Sequence, residues 1–251
     1  MSIAAGWAKA AKAAVAALLP QDCFLCAAPG GDSLLCSSCM LSLPRLTSAR
    51  CPVCALPTPG SSVCGACLKR TPHFDATQAV YCYEFPVDSL IQSLKYAHRL
   101  ASADFLGQML AQLPTPLRPD LILPVPLSAV RLAQRGFNQA LEIARPLARA
   151  IDVPLELRHI HRHRDTTPQA GLPWKERVAN IRHAFECEID LAGKTILVVD
   201  DVMTTGATLN ELARTLKAHG AARVESRVLA RTLKDQTTIV AVQSASPAPN
   251  E

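Results

Sequence analysis

Apolar positions along the chain recur with two periods, and they divide it into strands and helices. Ile196-Leu197-Val198-Val199 is continuously apolar and partly β-branched, and two adjacent carboxylates follow it. A run of this kind predicts a strand buried on both faces, as in a parallel sheet. Thr77–Phe85, Asp120–Val125, Leu155–His161 and Arg223–Arg231 read as further strands around the central one, Lys194–Val199. Helical spacing covers Pro86–His98, opened by its proline, Ala101–Leu113, Ser128–Ile151 with a break near Gly136, and 207–219. The Pro-rich stretch Leu113–Pro119 is a turn. Strands alternating with helices predict an α/β fold: a doubly wound, mostly parallel sheet with its ligand at the carboxyl ends of the strands.

Composition changes this picture little. The 251 residues allow one large domain or two smaller ones, and 49% hydrophobic with only 4% aromatic residues suits an aliphatic α/β core. The net charge of +5 is unevenly placed: Ser128 to Phe185 holds ten Arg/Lys against five Asp/Glu, a basic surface suited to polyphosphate or nucleic acid. At the start, Ile3, Trp7, Ala11, Val15 and Leu18 recur at helical spacing. Residues 1–20 therefore read as an amphipathic helix that packs on a neighbouring surface, with membrane contact at most peripheral. Lysines inside it and the lack of a small-x-small site argue against an export signal. No uncharged apolar run reaches eighteen residues, so a cytoplasmic protein is expected. The expected units are the 1–20 helix, a cysteine-bearing module at 21–71, the α/β domain at 75–232 and a largely disordered tail over 233–251, which is Ser/Pro/Ala-rich from Gln243.

The candidate chemistry centres on Ile196 to Thr208. The apolar run ends in Asp200-Asp201, and Val202-Met203-Thr204-Thr205-Gly206-Ala207-Thr208 leads into a helix. Unpaired N–H groups and the partial positive charge at that helix start suit a phosphate. The carboxylates can accept hydrogen bonds from sugar hydroxyls or orient a hydrated Mg²⁺. Together they describe a site for a ribose 5-phosphate. A plainer account has the acids ending a strand and Thr204 or Thr205 capping a helix, but it leaves two packed acids with nothing to bind. The stretch is neither a Walker A loop nor a dinucleotide-binding glycine turn.

Cysteine spacing carries the second signal. Cys23/Cys26, Cys36/Cys39, Cys51/Cys54 and Cys64/Cys67 are four C-x-x-C pairs, with Cys23→Cys51 and Cys36→Cys64 both repeating at 28 residues. A duplicated unit follows, each half with the four thiolates that Zn²⁺ takes tetrahedrally, so about two structural Zn²⁺ are expected. The repeat favours two consecutive sites, and spacing leaves cross-braced pairing of alternate couples open. A disulfide framework is the alternative, and no secretory feature supports it. Cys82 and Cys187 stand apart and read as small buried residues.

Pro124-Val125-Pro126 ends another expected strand and precedes Arg131 and Arg135-Gly136-Phe137-Asn138-Gln139. Guanidinium groups there could bind a pyrophosphate, or simply lie on a helix surface. The stretch from Arg162 through Arg182 is basic and aperiodic, as a lid over phosphates or a solvated loop would be. His159, His161 and His163 alternate as on one strand face, with no further metal ligand at motif spacing.

These elements, in this order, resemble the ComF family of competence-associated phosphoribosyltransferase-like proteins. The resemblance rests on the double C-x-x-C ribbon, Leu94-Lys95-Tyr96, Pro-Val-Pro, Arg-x-x-x-Arg-Gly-Phe-Asn-Gln, and the spaced residues Thr167, Gln169, Leu172, Arg177, Asn180, Ala184 and Phe185. The Asp-Asp-x-x-Thr-Thr-Gly-x-Thr stretch matches the signature for phosphoribosyl pyrophosphate (PRPP). The resemblance spans about residues 20 to 232 and implies a type I phosphoribosyltransferase fold behind a double zinc ribbon, with involvement in competence and the uptake or handling of single-stranded DNA. Two readings follow from it. In one the protein is a transferase that displaces pyrophosphate from PRPP–Mg²⁺. Asp200 and Asp201 would then hold the ribose, Met203, Thr204, Thr205, Gly206, Ala207 and Thr208 would wrap the 5-phosphate, and Lys95, Arg131 and Arg135 would offset charge on pyrophosphate. In the other it is a PRPP- or nucleotide-responsive binding module for single-stranded DNA, a DNA-import helicase or another competence protein. Tyr81, Tyr83 and Phe85 are the candidates for an apolar hood over an acceptor, and no motif names that acceptor.

Overall fold

The computed structural model of the protein describes residues 21–31, 33–46, 49–96, 100–165 and 181–233. The expected N-terminal helix, the C-terminal tail and the Thr167–Asn180 part of the expected lid lie outside these residues.

The cysteine-bearing module contributes β1 (Gln21–Asp22), β2 (Pro29–Gly31), α1 (Ser37–Leu41), a 3₁₀ turn at Pro59–Ser61 and α2 (Gly65–Lys69). The α/β part follows with β3 (Ala76–Cys82), α3 (Val87–Tyr96), α4 (Leu100–Ala111), β4 (Leu121–Pro124), α5 (Ala129–Arg135) and α6 (Gln139–Ile151). It closes with β5 (Ile160–Arg162), β6 (Phe185–Cys187), β7 (Thr195–Met203), α7 (Ala207–Ala218) and β8 (Arg223–Arg231). A parallel sheet in the order β3-β8-β7-β4 forms the centre, and β1-β2 and β5-β6 are antiparallel pairs. This is the doubly wound arrangement that the alternating pattern predicts.

Both faces of the sheet are covered, which is why β7 is apolar at consecutive positions. Ile196 and Val198 pack with Leu209, Leu212 and Leu216 of α7, and the second cysteine group joins that side. Leu197 and Val199 pack with Leu90, Ile91 and Leu94 of α3, Leu106 and Leu110 of α4 and Ile143 and Leu147 of α6, beside the first cysteine group. Each such side chain, fully buried, contributes about 1.5–3 kcal/mol. Arg227 of β8, buried under α4, donates to Gln78 Oε1 at 2.9 Å, Pro114 O at 2.9 Å and Thr115 Oγ1 at 2.6 Å, fixing the turn after α4 against the sheet.

Three expectations are corrected. The central strand does not stop at Val199: β7 continues through both acids to Met203, because β8 is equally long and pairs with it as far as Met203↔Arg231. On the other side β4 ends at Pro124↔Val199, so Asp200 stands one residue past its neighbour. The strand expected at Leu155–His161 lies at Ile160–Arg162, Leu155 making a single bridge to Ile122, and its partner β6 has no periodicity long enough to reveal it. Tyr81 is 1% exposed under the Arg45 guanidinium, which removes it from any hood.

Gly107 lets α4 and α6 approach closely. A β-carbon there would lie 2.2 Å from Pro146 Cγ and 2.4 Å from the Ile143 carbonyl oxygen. Overpacking against backbone costs about 1–3 kcal/mol, more than the roughly 1 kcal/mol that alanine gains in helix propensity. Gly107→Ala should therefore lower the melting temperature by several degrees at about 2–4 °C per kcal/mol. An unchanged or raised midpoint would show that the two helices part freely.

Candidate functional site

The acids gather at the carboxyl edge of the sheet. Asp201 points to the α3 side, where its carboxylate forms a salt bridge with Lys95 in the last turn of that helix. Asp200 is half-buried and accepts a hydrogen bond from the Asp201 N–H at 2.9 Å. Burial pushes both carboxyls up. For Asp201 the Lys95 ammonium outweighs it and holds the carboxyl below the ordinary value. For Asp200 burial and then the Asp201 charge raise the carboxyl well above it. Two like charges cannot both be satisfied by one lysine. Asp200 thus carries an electrostatic cost that hydroxyl donors or a cation would relieve, and its oxygens are the hard donors Mg²⁺ takes.

The loop after β7 is shaped for an anion. Gly206 adopts a left-handed conformation at φ 79°, and a β-carbon there would meet Met203 Cε at 2.6 Å. Thr205 Oγ1 accepts from Ala207 N–H at 3.3 Å, so α7 begins at this turn, with Thr208 inside its first turn. Backbone N–H groups at such a helix start, together with the helix dipole, favour negative charge.

On the β4 side, Asn138 fastens the Pro124-Val125-Pro126 loop. Its side chain donates to Val125 O at 3.0 Å and accepts from Ala140 N–H at 3.0 Å, capping α6. Ser128 caps α5 and donates to Asp165 at 2.6 Å. Arg131 lies on α5 within electrostatic reach of Arg162. Arg135, at the end of α5, donates to the Gln139 side chain. The structure thus joins Lys95 to Asp201 and sets Arg131 within electrostatic reach of Arg162, while it engages Arg135 with α6.

Arg162, read in the sequence as part of a lid or a solvated loop, is instead a buried residue of β5. Its guanidinium lies 5.9 Å from the centre of the Phe185 ring. Burial and the Arg131 charge lower it to about 10, while Asp165 and Asp200 act the other way. Its proximity to both Arg131 and Asp200 places it in the same constellation. The sequence signal was the alternation at 160–162, with Ile160 and Arg162 inward and His161 outward. His159 pairs with Glu156 at 3.2 Å and His161 with Glu188 at 3.9 Å, on the outer side of the hairpin.

The four sulfurs of Cys23, Cys26, Cys36 and Cys39 lie within 4.8 Å of one another, as do those of Cys51, Cys54, Cys64 and Cys67. Among the described residues these are the metal-competent clusters, and consecutive grouping is the one seen. Four thiols at tetrahedral reach fit structural Zn²⁺. Backbone N–H groups prepare one sulfur in each: that of Cys36 leads in lowering Cys23 to about 6, and Cys51 falls to about 7 because the N–H groups of Cys64, Cys54 and Val53 overcome burial. Neighbouring thiols raise Cys39 to about 12, and burial foremost raises Cys54 to about 11. A cation among the sulfurs removes that conflict.

The second cysteine group walls a cleft of about 810 Å³ that reaches the loop after β7. Leu56, Phe74 and Ile181 line it with Met203 to Ala207, and Arg70, Arg182 and Arg214 stand on it.

Comparison with known proteins agrees with this geometry. A phosphoribosyl transferase domain matches residues 118–244, and a double zinc ribbon domain matches residues 14–68. The fold and both modules define a phosphoribosyltransferase-domain protein with an N-terminal zinc ribbon. Relatives include the DNA utilization protein YhgH of Escherichia coli K12, 37% identical over 158 residues, which are 60% of this chain and 70% of that protein. Competence protein F of Haemophilus influenzae is 34% identical over 59% of this chain and 69% of its own length. Competence protein ComFC of Bacillus subtilis is 36% identical over 45% of each. The chain belongs to the ComF family.

Zinc and the acid pair each give a prediction. Elemental analysis of freshly reduced protein should find about two Zn²⁺ per chain, and Cys36→Ser should lose one and destabilise the N-terminal module. Zinc-free protein of unchanged stability would sink this assignment.

The two aspartates should respond oppositely to neutralisation. The raised Asp200 binds its proton more tightly folded than unfolded, so stability falls as pH rises from the unfolded value of about 3.9 toward its folded value. The depressed Asp201 contributes stability above about 3.9 that is lost as pH falls through its folded value. At pH 7 Asp200→Asn should raise the melting temperature of the ligand-free protein, and Asp201→Asn should lower it by exposing Lys95 to an unmatched site. Shifts of the same sign would refute the asymmetry.

Proposed function

We propose that this protein binds PRPP–Mg²⁺ at the β7 edge and transfers its phosphoribosyl group to an acceptor during DNA utilization or competence. The observation that carries the proposal is the acid pair split by Lys95, one residue beyond β4 and directly before the Gly206 turn.

Asp200 and Asp201 would orient the ribose hydroxyls, and the turn from Thr204 to Thr208 would hold the 5-phosphate on its N–H groups. Arg162, which interacts electrostatically with Asp200, and Arg131 beside it would offset charge as the acceptor's lone pair bonds to C1, the C1–O bond breaks and pyrophosphate departs with the bonding pair. Arg135 extends the same basic segment. Bound with PRPP, Mg²⁺ would supply charge neutralisation on the diphosphate, with Asp200 as the protein's oxygen donor. The apolar lining of the cleft, Leu56, Phe74 and Ile181, suits a planar acceptor better than the tyrosines do.

The names of the relatives support a connection with DNA, and the arginines along the cleft support a second reading, in which PRPP is a ligand and single-stranded DNA or a competence protein the partner. Pyrophosphate release from PRPP–Mg²⁺ across a panel of bases, amines and oligonucleotides separates the two. Release that depends on an acceptor supports transfer, and tight PRPP binding without release under any acceptor supports the module.

Replacing both acids, Asp200→Asn with Asp201→Asn, removes charge-assisted hydrogen bonds of about 1.5–3 kcal/mol each, so PRPP affinity should fall at least about tenfold. Equal calorimetric binding would refute the ribose role. Arg131→Ala should weaken PRPP but hardly ribose 5-phosphate, which lacks the diphosphate. Loss confined to an oligonucleotide, with the salt dependence flatter by about one unit of slope, would assign this segment to nucleic acid instead.

A further inference from the structure

Arg231, the last residue of β8, is 4% exposed, and its guanidinium is spent on backbone carbonyls from three places in the chain. Nε donates to Cys54 O at 3.0 Å. Nη1 donates to Met203 O at 2.8 Å, to Thr204 O and to Thr232 O at 3.0 Å. Cys54 belongs to the second cysteine group, and Met203 and Thr204 open the Gly206 turn. One buried cation thus bridges the two. Hydrogen bonds from a charged donor are about twice as strong as neutral ones, and a guanidinium holds several acceptors in one plane.

The Cys51–Cys54 turn that presents the Cys54 carbonyl is tight. Ala55 N–H donates to Cys51 O at 2.9 Å, and Ala55 itself adopts φ 58°. Four thiolates on one Zn²⁺ would lock this turn and leave an excess of negative charge beside the guanidinium. Without the metal the turn has less to hold it, and Arg231 loses a fixed acceptor and its counter-charge. Among the described residues the first cysteine group has no corresponding link, because it packs with α3 and α4 on the opposite face of the sheet.

We propose that Arg231 is a positioning residue that couples occupancy of the second zinc site, and not the first, to the shape of the phosphate-binding turn. The proposal rests on the reading of that turn as the 5-phosphate site. Coupling between sites is reciprocal, so zinc in the second site should tighten PRPP and PRPP should retain that zinc.

Two measurements on the full chain test it. In wild type, transfer of zinc to a chromogenic chelator should show two phases, and saturating PRPP–Mg²⁺ should slow by about fivefold or more the phase that persists in Cys36→Ser, while leaving the other unchanged; protection of the other phase alone would overturn the coupling. In calorimetry, Cys64→Ser and Arg231→Lys should each bind PRPP at least about fivefold more weakly, whereas Cys36→Ser should bind as wild type does. In Arg231→Lys, whose charge remains but whose planar fork is gone, PRPP should no longer protect zinc. Wild type that binds PRPP with no protection of either zinc would overturn the coupling alone. Equal protection of both zincs would also overturn it, by showing general stabilisation. Zinc-loaded wild type that does not bind PRPP would remove the underlying reading and the coupling with it.

Discussion

Two carboxylates side by side at the end of a strand buried on both faces are the constraint around which this protein is arranged. Like charges in a poorly solvated place are expensive, and the fold compensates one of them far more fully than the other. Lys95 reaches Asp201 from α3, while Asp200 projects beyond the end of β4 with a raised affinity for protons. A structure selected for stability alone would remove one acid. Retaining both leaves an acceptor at the sheet edge whose cost falls when a polyhydroxyl or cationic ligand arrives. Strand lengths make that possible: β8 runs as far as β7 and keeps the acids in register, and the shorter β4 opens the edge on the other side.

The cysteine module joins this arrangement in two ways. Its first group adds to the core on the α3 and α4 side, and its second group adds to the α7 side. Leu46, Pro52 and Pro44 join by backbone hydrogen bonds to β3, so the module grips the edge of the parallel sheet. Where the second group meets the turn after β7, it leaves a cleft with an apolar floor and arginines along it. The cysteine groups therefore pack against the α/β domain as well as within their own small module, and Arg231 is the point at which the second of them meets the turn.

Much of this was legible in the sequence because its signals are local. The apolar run of β7, the glycine turn and the 28-residue cysteine repeat each lie within one short segment, and each gives the right element or cluster. What escaped depends on distant partners. The extension of β7 through Asp200 and Asp201 is set by the length of β8, which no window around the acids contains. Arg162 looked like part of a basic loop until Phe185, beyond a long separation, covered it. Arg231 ends a strand like any other arginine, and its role exists only because Cys54 and Met203 converge on it. Tyr81 shows the same limit in the opposite direction, since its burial under Arg45 could not be read from an aromatic pattern.

A crystal structure of the protein grown or soaked with PRPP–Mg²⁺ would show where each part of the ligand sits. The 5-phosphate density should lie in the turn from Thr204 to Thr208, the ribose hydroxyls on Asp200 and Asp201, and the diphosphate should extend toward Arg131 and Arg162. PRPP bound elsewhere, or oriented with its diphosphate in the Gly206 turn, would contradict this placement.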